Sequence, residues 1–275
     1  LKDIIDSKAF SVVRLSKIYR QAESSHIVLN AHKINAGELI TLDNKNKDFF
    51  FFEKKDVRSV MGALVYLVKT RLPEYIGASP FEIQVLTPMR KGELGVEHLN
   101  EVLQYYLNPA SESKKEKEGR TGVFREGDKV MQVKNNYKLE WKITNAKGFS
   151  IEEGLGVFNG DMGIIKQINT YSERITVVFD ENREAEYPFS SLDELELAYA
   201  ITIHKSQGSE YPAVVLPLLS GPPILCNRNL LYTAITRAQK CVAIAGRQSM
   251  VEQMIHNETE QKRYSGLNDC LKEGL

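Results

Sequence analysis

Two polar segments in the second half of the chain carry side chains that could act on a phosphate group. Residues 229–239 show apolar side chains at helical spacing, with Arg237 on the polar side of the predicted helix. An arginine fixed by a helix is a permanently charged donor fork, which suits a phosphoryl oxygen. Residues 202–210, TIHKSQGSE, crowd polar side chains, a glycine and a lysine into a stretch where a simple link needs only one or two turn residues.

A third candidate is Arg20, which lies at the end of a strand predicted over residues 11–21. Ligand sites of α/β proteins lie at the ends of strands, so this position could also face a ligand. Each segment alone has an ordinary explanation. Arg20 and Arg237 could be surface residues, and Gly208 could simply end a helix. Only the three segments together therefore indicate a phosphate site.

Strands and long helices alternate in the first part of the chain. Asp56 is a predicted N-cap, and Pro73 and Gly77 are expected to close the helix that follows it. Such alternation is typical of a parallel sheet covered by helices. The predicted strands are residues 11–21, 49–52 and 82–87, and the predicted helices are residues 26–35, 57–72 and 95–107.

The pattern changes after residues 111–120, a charged segment that we interpret as a solvated loop. Four short alternating runs follow, at residues 128–133, 161–168, 174–179 and 184–189, separated by turn residues. Residues 135–149 are interpreted as a loop whose Tyr137 and Trp141 could stack on a base or cover the strands. Short strands at this density indicate a small β barrel.

The α/β pattern resumes at residue 195. We predict a helix over residues 195–208, a strand at 213–218, a helix at 229–240 and a final strand at 241–246. The expected fold class is therefore α/β, with a parallel sheet covered by helices on both faces and interrupted by a small inserted β barrel.

Composition excludes several classes of protein. The 275 residues carry 36 basic and 36 acidic side chains, so net charge gives no evidence for a nucleic-acid partner. No apolar run is long enough to cross a bilayer, and three scattered cysteines are not a disulfide framework. His26 and His32 do not share a helix face, so no metal site is predicted. We expect a cytoplasmic protein. Apolar residues already lie at helical spacing from Leu1 onward, so we also expect the chain to be a fragment of a longer protein.

The three segments resemble motifs of the superfamily 1 helicases. LSKIYRQA, TIHKSQGSE and LYTAITRA are similar to motifs IV, V and VI, and the most similar branch is the RecD-like, 5′-to-3′ family. Further similarity lies in VLTPMRKG with Asn100, in GDKVMQVKNNY and in VFNGDMG. The resemblance follows the family order over almost the whole chain.

This resemblance implies the second RecA-like domain of a DNA motor, formed by residues 1–123 and 195–275, with a Src-homology-3-like barrel over residues 124–194. It implies that Arg20 and Arg237 contact the γ-phosphate of ATP and that Gln21, Gly208 and Glu210 border the nucleotide. It also implies that hydroxyl, amide, imidazole and cationic side chains contact the phosphates of single-stranded DNA. These are Thr87, Arg90, Asn135, Thr202, His204 and Lys205.

The sequence contains no Gly-x-x-x-x-Gly-Lys-Ser/Thr loop. ATP and Mg²⁺ would therefore be held mostly by a first RecA-like domain, which this chain lacks and which would be its partner in the same polypeptide. We expect the chain alone to be inactive. Two alternatives remain open at this level: a nonenzymatic module that binds single-stranded DNA or a protein, and a degenerate nucleotide-binding regulator. The motor interpretation predicts that binding cations gather around Arg90, His204 and Lys205, with acidic residues on other faces.

Overall fold

The computed structural model describes residues 2–13, 25–120, 122–145, 149–259 and 266–273. Arg20, Gln21 and most of the strand predicted over residues 11–21 lie outside these ranges, so the structure does not test them. Within the described ranges, no helix combines the length and the apolar character needed to cross a bilayer. The helices are α1 (Lys2–Ser7), α2 (His26–Ala36), α3 (Val57–Tyr66), α4 (Leu72–Ile76), α5 (Val96–Leu107), α6 (Arg228–Ile235), α7 (Gln248–His256) and α8 (Leu267–Glu273).

The strands belong to three sheets. They are β1 (Phe49–Glu53), β2 (Ile83–Thr87), β3 (Glu116–Glu118), β4 (Val123–Arg125), β5 (Lys129–Gln132), β6 (Asn136–Thr144), β7 (Ser150–Val157), β8 (Met162–Asn169), β9 (Arg174–Phe179), β10 (Glu184–Pro188), β11 (Leu195–Leu197), β12 (Ala200–Thr202), β13 (Tyr211–Leu218) and β14 (Ala238–Gly246). The five-stranded sheet has the order β1-β14-β13-β2-β12, and its strand pairs are all parallel.

Both faces of the parallel sheet are buried, which explains its continuous apolar strands. Alternate residues of β13 enter two different cores: Val215 packs with α3 and α5, and Val214 packs with α2, α6 and α7. Side chains of a strand point to opposite faces in turn, so a strand covered on both sides must be apolar at every position. The predicted parallel sheet with helices on both faces is confirmed.

The helix after β1 differs from its prediction at Pro73. Asp56 caps α3 as expected, because its side chain accepts a hydrogen bond from the Ser59 amide. The helix then widens into a π turn at Leu67–Arg71 and continues as α4 to Ile76. Pro73 lies directly after the π turn, inside this continuous helix, and Gly77 ends the helix with φ +66°. Thus only Gly77 closes it.

The inserted region is a seven-stranded antiparallel sheet with the order β11-β5-β8-β9-β10-β6-β7. The four predicted strands appear as β5, β8, β9 and β10. The prediction of a loop over residues 135–149 was wrong, because most of that segment forms β6, which pairs with β7 in a long hairpin. Most side chains of this hairpin are exposed or half-buried, so burial imposes no clear hydrophobic alternation on it.

Two other predictions were wrong for related reasons. The helix predicted over residues 195–208 is instead β11, β12 and a single 3₁₀ turn at Ile203–Ser206. β11 pairs with β5 in the seven-stranded sheet, while β12 pairs with β2 in the parallel sheet. The charged loop at residues 111–120 contains β3, which pairs with β4. Short strands that pair with distant partners leave little local periodicity.

Buried ionisable groups join the two sheets. The Asp128 carboxylate accepts hydrogen bonds from the Gln104, Asn108 and Tyr199 side chains, at 2.6, 2.7 and 2.9 Å. Burial raises the pKa of Asp128, although its hydrogen bonds oppose that shift. The neighbouring Lys129 donates to the Phe81 carbonyl and to Gln84 Oε1, and burial lowers its pKa to about 7. The inserted sheet is therefore anchored to the parallel sheet by a buried polar network.

Candidate functional site

The segment 202–210 crosses the parallel sheet from one edge to the other. Thr202 ends β12 and pairs with Thr87 at the end of β2, so both lie at the carboxyl edge. Tyr211 begins β13 and pairs with Ala238 at the start of β14, which places both at the amino edge. The predicted site residues that the structure describes on the parallel sheet therefore fall into two groups at opposite edges.

A cluster of four charged side chains lies at the carboxyl edge. Glu196 accepts from Arg90 Nη2 at 2.8 Å and from Lys205 Nζ at 3.0 Å, one cation on each carboxylate oxygen. Glu97, in the first turn of α5, binds Arg90 Nε at 3.3 Å. We call Arg90, Glu97, Glu196 and Lys205 the ion cluster. The expectation that acidic residues would lie on other faces was wrong, because two glutamates neutralise the two cations here.

The contacts of the ion cluster shift the pKa values of Glu196 and Arg90. Burial raises the pKa of Glu196, but the hydrogen bonds from Arg90 and Lys205 outweigh burial, and the net pKa is below its usual range. The pKa of Arg90 is raised, chiefly by its hydrogen bond to Glu196. Both groups are therefore ionised near neutral pH, and the cluster holds two full positive and two full negative charges.

The other predicted residues at this edge have different surroundings. The Thr87 side chain is fully buried, and its hydroxyl donates to the Leu94 carbonyl at 2.7 Å, so it shapes the loop after β2. The Thr202 hydroxyl caps the 3₁₀ turn by accepting from the Lys205 amide at 3.4 Å. His204 is exposed on that turn. An exposed imidazole next to an ion cluster can meet an incoming anion.

Asn135 is not joined to the ion cluster. It lies between β5 and β6, where its Oδ1 accepts from the Asn159 amide at 2.9 Å and its Nδ2 lies 3.4 Å from the Tyr137 hydroxyl. These contacts link two turns of the inserted sheet. A contact from Asn135 to a ligand would therefore come from the inserted region and not from the parallel sheet.

Arg237 lies at the amino edge, in the tight connection between α6 and β14. The prediction that a helix carries it was wrong, because α6 ends at Ile235. Three bonds of 3.3 Å hold its guanidinium, to the Thr233 carbonyl, the Ser209 carbonyl and the Thr236 hydroxyl. No carboxylate of the described residues lies within ion-pair distance of it, so its charge is held but not neutralised.

The end of the segment 202–210 lies beside Arg237. The Tyr211 amide donates to the Arg237 carbonyl at 2.9 Å, and Gln239 Nε2 donates to Glu210 Oε2 at 3.3 Å. Gly208 is exposed with φ +92° and has open space where a Cβ would stand. Glu97, Glu196 and Gln239 were not predicted from the sequence, since each acts through a contact that spacing along the chain does not reveal.

Within the described ranges, no three His, Cys, Asp or Glu side chains form a group that could hold a metal ion. The reactive groups at the two edges are instead suited to phosphates. A charged guanidinium and exposed backbone lie at the amino edge, and a neutralised cation pair with an imidazole lies at the carboxyl edge.

Family comparisons identify the class of protein. Residues 99–179 match the family described as ATP-dependent RecD-like DNA helicase SH3 domain, and residues 197–245 match the UvrD-like helicase C-terminal domain. The chain belongs to the RecD-like DNA helicases, of which it represents a C-terminal part. The matched ranges cover most of the inserted sheet and the segments that carry Thr202, Glu210 and Arg237.

Individual relatives agree with this family. The chain is 33% identical over 240 residues to the ATP-dependent RecD2 DNA helicase of Deinococcus radiodurans, which covers 87% of this chain and 29% of that protein. It is 28% identical over 274 residues to the RecBCD enzyme subunit RecD of Mycobacterium tuberculosis, covering 93% and 43%. The chain thus spans less than half the length of these two relatives.

A solved structure shares the fold. It is that of Pif1 helicase from Bacteroides in complex with ADP-AlF3 and single-stranded DNA, with a TM-score of 0.50 and 20% identity. The similarity covers 89% of this chain and 54% of that one. The parallel sheet with its inserted β module is therefore an architecture found in a DNA helicase.

Proposed function

We propose that this chain is the second motor domain of an ATP-dependent 5′-to-3′ DNA helicase, acting together with a first RecA-like domain of the same polypeptide. The observation that carries the proposal is the segment 202–210, which joins two chemically different edges of one sheet. One end lies beside the un-neutralised Arg237, and the other contributes Lys205 to the ion cluster. Such a segment can connect a nucleotide site to a DNA site.

At the amino edge, we assign Arg237 to the γ-phosphate and Gly208 and Glu210 to the border of the nucleotide. Arg20 and Gln21 lie outside the described residues, and we assign them to the γ-phosphate and to the border of the nucleotide from the motif resemblance alone. Three neutral oxygens hold the Arg237 guanidinium, so its full charge remains available to a phosphate. The open space at Gly208 allows a ligand to approach the backbone. ATP, when bound, supplies the phosphoryl group, and the first RecA-like domain would hold Mg²⁺ and the remaining phosphates.

At the carboxyl edge, we assign Arg90, Thr202, His204 and Lys205 to the phosphates of single-stranded DNA. Backbone contacts of this kind position a strand without reading its bases. Thr87 would act indirectly, because its buried hydroxyl fixes the loop that carries Arg90. Asn135 would contribute from the inserted barrel, which we assign to residues 124–194 between the two motor segments 1–123 and 195–275. The strand β11 extends the sheet of that barrel to Leu197.

The wider setting follows from the same proposal. We also propose that the protein works in the cytoplasm, in DNA repair or recombination; one relative is named as the RecD subunit of the RecBCD enzyme. Cys226 and Cys241 are buried free thiols, as expected in a reducing compartment. A nonenzymatic binding module is not favoured, because it gives no reason for Arg237 and the end of the segment 202–210 to meet at the sheet edge opposite the ion cluster.

The test is DNA-stimulated ATP hydrolysis by the full-length protein with the substitution Arg237→Ala. An arginine that stabilises a transferring phosphoryl group is worth about 10³- to 10⁵-fold in kcat, so we expect a loss of roughly that size. The matched control is Arg174→Ala, which removes an exposed arginine of the inserted sheet. If kcat of the Arg237→Ala protein stays within a few fold of the control, the motor assignment is wrong.

A further inference from the structure

The carboxylate of Glu196 occupies an unusual position for an acidic group in a DNA-binding face. It lies between Arg90 and Lys205, the two cations assigned to DNA, and binds both at 2.8 and 3.0 Å. Glu196 belongs to β11 of the inserted sheet, whereas the two cations lie on loops that follow β2 and β12 of the parallel sheet. The contact therefore joins the two sheets at the proposed DNA site.

This geometry is what a DNA phosphate would adopt at the same place. A phosphate diester carries one negative charge on two unesterified oxygens, and each oxygen accepts hydrogen bonds from arginine or lysine. Glu196 also carries one negative charge and uses one oxygen for each cation. The carboxylate thus makes the two contacts that a bound phosphate would make.

The net charge of the ion cluster shows why a DNA phosphate must compete with its carboxylates. Arg90 and Lys205 carry two positive charges, and Glu97 and Glu196 carry two negative ones, so the ion cluster has no net charge. The affinity of single-stranded nucleic acids for a protein depends on the cations that replace condensed counterions. A phosphate that meets a neutral cluster gains little unless a carboxylate moves away.

Exposure shows which groups a ligand can reach. The side chains of Arg90 and Lys205 are 47% and 30% exposed, whereas that of Glu196 is 19% exposed. The solvent-facing sides of both cations are therefore accessible, and Glu196 lies on their inner side. A phosphate can bind from solvent while the glutamate side chain is displaced.

We propose that Glu196 is an internal competitor of DNA, occupying the place of a backbone phosphate between Arg90 and Lys205 and lowering the affinity of this edge for single strands. The inference rests on the proposed function of these cations. It assigns Glu196 a role in setting affinity, so that single-stranded DNA binds by exchanging with an internal carboxylate. Removal of the charge of Glu196 should strengthen DNA binding, which is the opposite of the usual effect of a mutation in a binding site.

The test is the substitution Glu196→Gln, which keeps the shape of the side chain and removes its charge. Binding of a fluorescein-labelled oligothymidylate to the chain is measured by anisotropy over a range of salt concentrations. We expect the dissociation constant to fall about three- to tenfold at low salt. The slope of the logarithm of the affinity against the logarithm of the salt concentration should steepen by about 0.7 for each added phosphate contact. The control is Glu186→Gln, which changes the net charge equally but lies in an exposed pair with Arg174 on the inserted sheet.

A third protein, Arg90→Ala with Lys205→Ala, separates the inference from the proposed function. If this double variant weakens binding and Glu196→Gln does not tighten it relative to Glu186→Gln, the role of Glu196 is overturned and the DNA assignment stands. If the double variant binds as the unmodified chain does, the DNA assignment of this edge fails, and the inference fails with it. Absence of measurable binding by Glu196→Gln at low salt also overturns the inference.

Discussion

The two edges of the parallel sheet present cations in opposite ways. At the carboxyl edge, Arg90 and Lys205 are bound by carboxylates at 2.8 to 3.3 Å, so the cluster is neutral. At the amino edge, the described residues that bind Arg237 offer carbonyl and hydroxyl oxygens at 3.3 Å, so none of them neutralises its charge. A guanidinium held by neutral groups is ready for an anion, whereas a neutralised pair must first exchange its partner. The charged arginine at the amino edge suits a nucleotide that is held tightly, and the neutralised pair at the carboxyl edge suits a DNA strand that must be released.

After the loss of kcat expected for Arg237→Ala, the next largest effect that would sharpen this comparison is expected at the carboxyl edge. The double substitution Arg90→Ala with Lys205→Ala should weaken the binding of single-stranded DNA by the full-length protein about tenfold or more at low salt. The slope of the logarithm of the affinity against the logarithm of the salt concentration should become shallower by about 1.4, because two phosphate contacts are lost. The measurement is anisotropy of a labelled oligonucleotide. The control is Lys166→Ala with Arg174→Ala, two cations that pair with glutamates on the inserted sheet.

A second prediction concerns the buried junction that both edges depend on. The pKa of Lys129 is lowered to about 7, so between pH 7 and 10.5 the unfolded lysine binds a proton that the folded one does not. Stability therefore increases with pH through this window. We expect the melting temperature to rise by roughly 5 °C between pH 7 and 9.

The substitution Lys129→Met should remove most of this rise, whatever its effect on the melting temperature at pH 7. A variant that keeps the full rise would show that other groups cause it. DNA binding and ATP hydrolysis should then be compared at one fixed pH, so that a change in folding is not mistaken for a change at either edge.

The smallest effect is expected for Gln239→Ala at the amino edge. Its amide donates to Glu210 at 3.3 Å in an exposed position, and such a bond contributes little net free energy. We expect KM for ATP in the full-length protein to rise about twofold, with kcat unchanged. A large fall in kcat would mean that Gln239 positions Glu210 for the reaction itself and that the amino edge is less rigid than its hydrogen bonds indicate.

Much of the fold could be predicted because burial on both faces imposes clear patterns. The strand β13 and the second half of β14 are apolar at nearly every position, and α5 has a strong apolar stripe. The β6–β7 hairpin was missed since its exposed side chains carry no such pattern. β11 and β12 were mistaken for a helix, because their apolar residues are close enough in sequence to fit helical spacing.

The candidate site was predictable only where a motif holds its residues together in sequence. Thr202, His204 and Glu210 were proposed in this way, and so was Arg237, although the helix assumed to carry it ends at Ile235. Glu196 could not be found, because it reaches Arg90 across 106 positions and from a different sheet. A pairing of this kind depends on how the inserted sheet packs on the parallel one, which no local pattern encodes.

The central claim is that the two edges serve different ligands, and one titration tests it directly. ATP hydrolysis by the full-length protein is measured against the concentration of single-stranded DNA for Arg237→Ala and for the Arg90→Ala with Lys205→Ala variant. The account predicts that Arg237→Ala loses kcat and binds DNA as before, while the double variant needs at least about tenfold more DNA and reaches a similar kcat. Loss of both properties in both variants would contradict it.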